Sequence, residues 1–334
     1  MDKTINSFSF LTIGKTAETK TTEFKRYIGL GQSDIIALNP TKKQLEEIYG
    51  HEVQNDPQYF GTDEQTGVKW ARLDFIVKTV PEACNGIDMT TKVSFFIRGE
   101  KYSNREGTKV RVIDAFGNSL SIPNEDAENH TPQKISSGGN AKIAQFRTAY
   151  RGEPEVIDFL RKYLNIPDAF DYVNNSWILK TMKHENEITK DDAENNDVLV
   201  YEDHMLAFDK NDFVNFFKGN TSTLWEAIEE KKKKSLTPLA VTLLYGVKTG
   251  NDGKLFQAVC TDIDRFLYKN PNAKAISKLE SDIIKAKQYG RYSNIDYRVQ
   301  ELQEYSVEPT NLDTPATSNQ PFPSSNSSAW DAIF

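Results

Sequence analysis

The run Val68-Lys-Trp-Ala-Arg-Leu-Asp-Phe-Ile-Val-Lys-Thr-Val80 constrains this chain more than any other segment. Side chains of a strand point alternately to opposite faces. Trp70, Arg72, Asp74 and Ile76 therefore share one face, and Leu73, Phe75 and Val77 share the other. A partly alternating run rich in aromatic and β-branched residues predicts a strand with one side in a core. Two further strands are predicted over 92–98 and 109–114. The Gly117-Asn118 pair then turns the chain into a fourth strand over 119–122.

Later segments change character. Helices are predicted over 41–49, 153–164, 210–217, 222–234, 262–268 and 273–289. The first is bracketed by Pro40 and Thr41 at its start and Gly50 beyond its end. The second carries Pro154 near its start, acids in its first turn and Arg161 and Lys162 later, an order that suits the helix dipole. Residues 51–67, 123–141 and 185–197 read as polar loops, and 198–201 as a strand. A second hairpin runs from 239–248 through Asn251-Asp252-Gly253 to 254–260. Strands dominate early and helices late, which predicts an α+β fold.

The composition narrows the class. The chain has 334 residues, 38% hydrophobic and 27% charged, as ordinary soluble domains do. No apolar run approaches the ~18 residues of a membrane span. The N-terminus lacks a signal peptide's apolar region, so the protein is expected to stay in the compartment where it is made. Cys84 and Cys260 are far apart and follow no ligand spacing, so they are read as reduced or buried thiols. The four histidines show no metal spacing, and neither a phosphate loop nor a Gly-x-Ser-x-Gly elbow occurs. Neither an enzyme, a cofactor nor a metal site is expected. The carboxylate pairs Asp191-Asp192 and Asp262/Asp264 are read as solvated acids, with a two-metal nuclease the competing reading.

The remaining constellation is basic residues interleaved with rings. Between Val68 and Ile122 nine basic residues face six acids, a net of +3 (9 minus 6). Unpaired nucleic acid is held by such surfaces: bases stack on rings at ~1–3 kcal/mol each, and Lys and Arg meet phosphates. Trp70, Arg72, Arg98, Lys101, Tyr102, Lys109, Arg111 and Phe116 are the candidate DNA-binding residues. Phe75, Phe95 and Ile97 are expected in the core. Trp70, Tyr102 and Phe116 lie beside basic residues near strand ends or turns and suit either setting.

The C-terminal segment 299–334 contains neither Lys nor Arg and carries five acids, a side-chain charge of −5, within a whole-chain net charge of −7. Four prolines and many Ser, Asn and Thr residues predict a disordered tail, its tether starting near Ser306. That tail ends in Trp330, Asp331, Ile333 and Phe334. Apolar side chains on a disordered segment have no core to enter, so these four are candidate partner-binding residues.

A basic, aromatic β-rich body with an acidic tail ending in Phe resembles single-stranded DNA-binding proteins. The body resembles those of tailed bacteriophages, particularly the crAss-like group. The resemblance rests on Tyr27-Ile-Gly-Leu-Gly31, Ala37-Leu-Asn-Pro-Thr-Lys-Lys-Gln-Leu-Glu-Glu-Ile-Tyr-Gly50, Val110-Arg-Val-Ile-Asp-Ala-Phe-Gly117, Ala149-Tyr-Arg-Gly-Glu153 and Phe159-Leu-Arg-Lys-Tyr-Leu-Asn-Ile-Pro167. These patterns span roughly the first half of the chain. The resemblance implies an OB-like β-barrel core within 1–298, elaborated with helices. It implies a non-catalytic protein that coats single-stranded DNA during phage replication, recombination or repair in the cytoplasm of an infected bacterial host. Replication proteins (polymerase, helicase or primase) would be recruited by the tail, and homo-oligomers are compatible with it. The familiar tail is more acidic before its last residues; here Asp331 alone is close. A different class, a virion or scaffold interaction protein without nucleic-acid affinity, is the alternative.

Overall fold

The computed structural model describes residues 25–306, except 115–116, 132, 136–138, 142–145, 167–169, 174–175, 180, 184, 195–197, 201–209 and 263–264. Its principal elements in the first half are β1 (Tyr27–Leu38), α1 (Lys42–Tyr49), β2 (Phe60–Thr62), β3 (Lys69–Thr79), β4 (Thr90–Lys101), β5 (Lys109–Ile113), β6 (Ser119–Pro123), α2 (Asn124–Glu128) and α3 (Glu153–Tyr163). The fold is α+β.

β1, β3 and β4 lie side by side and antiparallel; the chain reaches β3 from β1 through α1 and β2, and turns directly from β3 into its neighbour β4. The late hairpin, Val241–Thr249 with Leu255–Val259, adds to the free flank of β1. The order across the sheet is Tyr150–Arg151, β4, β3, β1, Val241–Thr249, Leu255–Val259. Among the described residues no ladder joins the two outermost strands, and the sheet curls into half a barrel. Register shifts at Ile35/Ala37 and at Tyr150/Arg151 help it bend, since an extra residue on one strand kinks the ladder. A second, smaller sheet places β5 between β6 and Arg147–Thr148.

α3 fills the concave side. A helix buried on nearly all sides must be apolar nearly all round, and Val156, Ile157, Phe159, Leu160 and Tyr163 are all buried. Phe159 meets Phe75, Phe95 and Phe266 at centroid distances of 5.0, 5.3 and 5.3 Å. The expectation that Phe75, Phe95 and Ile97 are core holds. Several polar side chains of α3 find partners inside. Glu153 is gripped by the Arg147 guanidinium and accepts from the Tyr150 amide at 2.8 Å. Arg161 donates to Asn118 Oδ1 at 3.1 Å, and the Tyr163 hydroxyl donates to Asp34 Oδ1 at 2.5 Å. Gly152, the residue before the helix, has φ +87°, and a Cβ there would sit 1.8 Å from the Phe96 carbonyl oxygen. The backbone can pass under β4 only because this residue has no side chain.

Local signals read well. α1 starts with a Thr41/Gln44 capping box and ends at Gly50 in the left-handed region. The late hairpin closes where Asn251-Asp252-Gly253 indicates. The helices Ser222–Lys234 and Ala273–Gln288 also form where expected. Both cysteines are free and buried. Among the described residues no helix is long and apolar enough to cross a membrane.

Three expectations are corrected. The helix expected over 262–268 does not form at its C-terminal end, where Leu267–Tyr268 pairs as a strand with Val241–Thr242. The loops 51–67, 123–141 and 185–197 contain β2, α2, a short hairpin of Gln133–Ile135 with Gly139–Ala141, and a short helix over Lys190–Glu194. The tail boundary at 299 is too early. Leu302 is buried, and Gln303–Glu304 pairs with Tyr27–Ile28, so the folded body extends through this segment. Its acidity is no obstacle, because Glu304 meets Lys25 at 2.8 Å on the surface.

Candidate nucleic-acid interface

The ladder between β3 and β4 runs for nine residue pairs and sets the geometry. Opposed residues of an antiparallel pair point to the same side. Leu73 faces Phe95 and Phe75 faces Val93 on the core side. On the opposite side Trp70 faces Arg98, Arg72 faces Phe96, Asp74 faces Ser94 and Ile76 faces Lys92; this side is open to solvent at the Trp70–Phe96 end and covered at Asp74 and Ile76, which are buried. Rings and guanidinium groups thus alternate both along and across the strands, with Trp70 and Phe96 on one diagonal and Arg72 and Arg98 on the other.

The distances make this a continuous surface. The Trp70 and Phe96 ring centroids are 6.4 Å apart with planes at 41°. The Arg72 guanidinium carbon lies 6.0 Å from the Phe96 centroid and 5.4 Å from that of Tyr59. Tyr59 is fixed by its hydroxyl, which donates to the Pro40 carbonyl at 2.6 Å, and burial pushes its ionisation well up. Gly61 on β2 opposes Trp70; a Cβ there would come within 2.8 Å of the indole. Phe96 is 58% exposed, a large ring with most of its surface in water. Trp70, Arg72 and Arg98 are partly exposed.

Acids of the same chain meet the cations of this face. Asp74, only 2% exposed, has Oδ1 3.1 Å from Arg72 Nε and Oδ2 3.3 Å from Lys92 Nζ. Asn39 braces the strand beneath by accepting the Asp74 amide and donating to the Arg72 carbonyl. Arg98 meets Glu100 at 3.0 Å and Asp63 at 3.7 Å, and Arg151 meets Glu100 at 3.5 Å. Hydrogen bonds from Thr66, then from Gln65, with the charge of Arg98 in support, hold the Asp63 carboxyl below its ordinary range.

The eight expected DNA-binding residues do not form one surface. Trp70, Arg72 and Arg98 come together. Lys101 lies at the end of β4 with its Nζ 3.6 Å from Glu128 of α2. Tyr102 is a correction: it is 7% exposed, so its ring is not offered to a base. The chain leaves the main sheet at this residue to meet the small one, with the Tyr102 amide bonded to Ala149 and its carbonyl to Arg111. Its hydroxyl donates to Glu155 Oε1 at 3.1 Å, and Arg111 lies 5.8 Å from its ring. Lys109 is exposed at the start of β5, off the β3–β4 ladder. Phe116, and the tail residues Trp330, Asp331, Ile333 and Phe334, lie outside the described residues, as does Asp264. Its neighbour Asp262 is engaged by Arg291 at 2.5 Å and by the Tyr292 hydroxyl. Among the described residues no group of three or more His, Cys, Asp or Glu side chains could hold a metal ion.

The eight expected residues do not include Phe96, Tyr59, Lys92 and Arg151, which the fold brings to this face or its edge. The adjacent Phe95 and Phe96 carried a usable signal, since on a strand one of them must face out. Which one depends on the pairing with β3.

Family models, curated proteins and solved structures were compared with the chain, and none matches.

Proposed function

We propose that this protein binds single-stranded DNA on the outward face of β3 and β4 without catalysing a reaction on it. One observation carries the reading: the open Trp70–Phe96 pair is interleaved with Arg72 and Arg98. Unpaired bases have free π-faces for such rings, and their phosphates suit guanidinium groups. Duplex DNA keeps its bases stacked and offers the rings nothing. In this reading the curled sheet acts as an OB-like grip, and the protein coats strands exposed during phage replication, recombination or repair in the host cytoplasm. The tip Trp330, Asp331, Ile333 and Phe334 recruits polymerase, helicase or primase, and the coating protein can self-associate.

Titration with poly(dT), followed by Trp emission, tests this. Quenching that weakens with added salt is expected, with little effect from a duplex of equal length. Unchanged emission and no measurable affinity at any salt concentration reject it. A second reading, a virion or scaffold interaction protein, draws on the acids that meet the face's cations, which lower its field for phosphate. Presence in purified particles without DNA affinity would favour it.

A further inference from the structure

We propose that the β3–β4 face carries its own counterions, and that a bound strand is recognised chiefly through its bases, with its charge secondary. The inference rests on the single-stranded DNA reading above and specifies what in the strand is recognised. Salt sensitivity of polynucleotide binding arises because each cation that meets a phosphate releases condensed ions from the strand. The release is net only when the protein cation was free beforehand. Here Arg72 and Lys92 share the buried carboxylate of Asp74, and Arg98 and Arg151 share Glu100. When a phosphate takes over one of these cations, the abandoned carboxylate must gather an ion from solution. Release from the strand and uptake by the protein then largely cancel.

The placement of Asp74 gives this its force. The carboxylate lies beneath the outward face, and Asn39 fixes the strand that bears it. It cannot swing into solvent as Glu100 can, so Arg72 and Lys92 stay tied through Asp74 when a strand arrives. The uncompensated attraction on this face is the ring surface of Phe96 and Trp70.

The test measures the slope of log affinity against log salt for poly(dT) with the full chain, Asp74→Asn and Glu100→Gln, alongside an abasic deoxyribose-phosphate oligomer. Four free cations would give the wild type a slope of about −2.8, at about −0.7 per single-strand phosphate. A clearly shallower wild-type slope is expected. Asp74→Asn should bind more tightly at low salt and steepen the slope by about 1.4, two cations at about 0.7 each. Glu100→Gln, a surface change that leaves packing untouched, should steepen it in the same direction and decides the matter if Asp74→Asn fails to fold. The abasic oligomer should bind the wild type at least about tenfold more weakly than poly(dT). If the wild type binds poly(dT) and the variants keep its slope, or if the abasic oligomer binds as well, the inference falls while the single-strand reading stands. If none of the three proteins binds poly(dT) at any salt, both fall.

Discussion

At the scale of single residues, exposure separates what holds the fold from what is offered to a ligand. Phe96 spends most of its surface in water, so Phe96→Ala should leave the melting temperature nearly unchanged. The same variant should weaken poly(dT) binding by ~1–3 kcal/mol, about the worth of one stacked base. Trp70→Ala should lose a similar amount by fluorescence-free calorimetry. Tyr102 reverses the pattern. Tyr102→Phe should bind DNA as the parent does, yet unfold more easily by ~1–2 kcal/mol, because the Glu155 carboxylate loses a buried donor. A Tyr102→Phe variant with full stability and weak DNA binding would return that hydroxyl to the interface. Of the three rings that sequence left open between core and surface, Trp70 is on the face and Tyr102 is in the core, because one projects from the side of the β3–β4 ladder opposite the core and the other sits where the chain changes sheets.

At the scale of elements, the decisive contact is α3 against the inner side of β4. Alternation already indicated that Leu73, Phe75 and Phe95 needed a cover, and the helix over 153–163 was legible from Pro154 near its start, its charge order and its apolar content. That this helix is the cover was not legible, since nothing local ties residue 159 to residues 75 and 95. The junction is tight at Gly152. Gly152→Ala must move either the helix start or the Phe96 carbonyl, and should cost about 3 kcal/mol or more, read as a fall in the urea midpoint. Because Phe96 carries the outward ring, the same variant should also weaken poly(dT) binding. Retention of both stability and affinity would show that the junction is looser than its geometry indicates.

At the scale of the whole molecule, two buried carboxylates shape the response to pH. Burial, outweighing hydrogen bonds from Arg147 and Tyr102, raises the ionisation of Glu153 and Glu155 above the ordinary carboxylate range. Such groups bind protons more tightly folded than unfolded. Their contribution is fully favourable below the unfolded value and is lost as pH climbs through the raised folded one. Glu155→Gln, which keeps the oxygen that accepts from Tyr102, should therefore gain stability relative to the parent as pH rises across that window. Parallel urea-unfolding curves for the two proteins across the window would contradict this. Removal of residues 325–334 should leave poly(dT) affinity equal or higher and abolish capture of polymerase, helicase or primase; weaker DNA binding on removal would contradict it.

The amino-acid sequence by itself determined where β3, the late hairpin and the helices α1 and α3 lie, because periodicity, turns and the residues at helix ends act within a few residues. It also placed Trp70 and Arg72 on one strand face. Tertiary structure decided that Phe96 faces out while Phe95 packs on Phe159, that Tyr102 is buried, and that 299–306 closes on β1. It also decided that Asp74 ties Arg72 to Lys92 across two strands. These depend on register and on which element covers which face, and residues far apart in the chain set both.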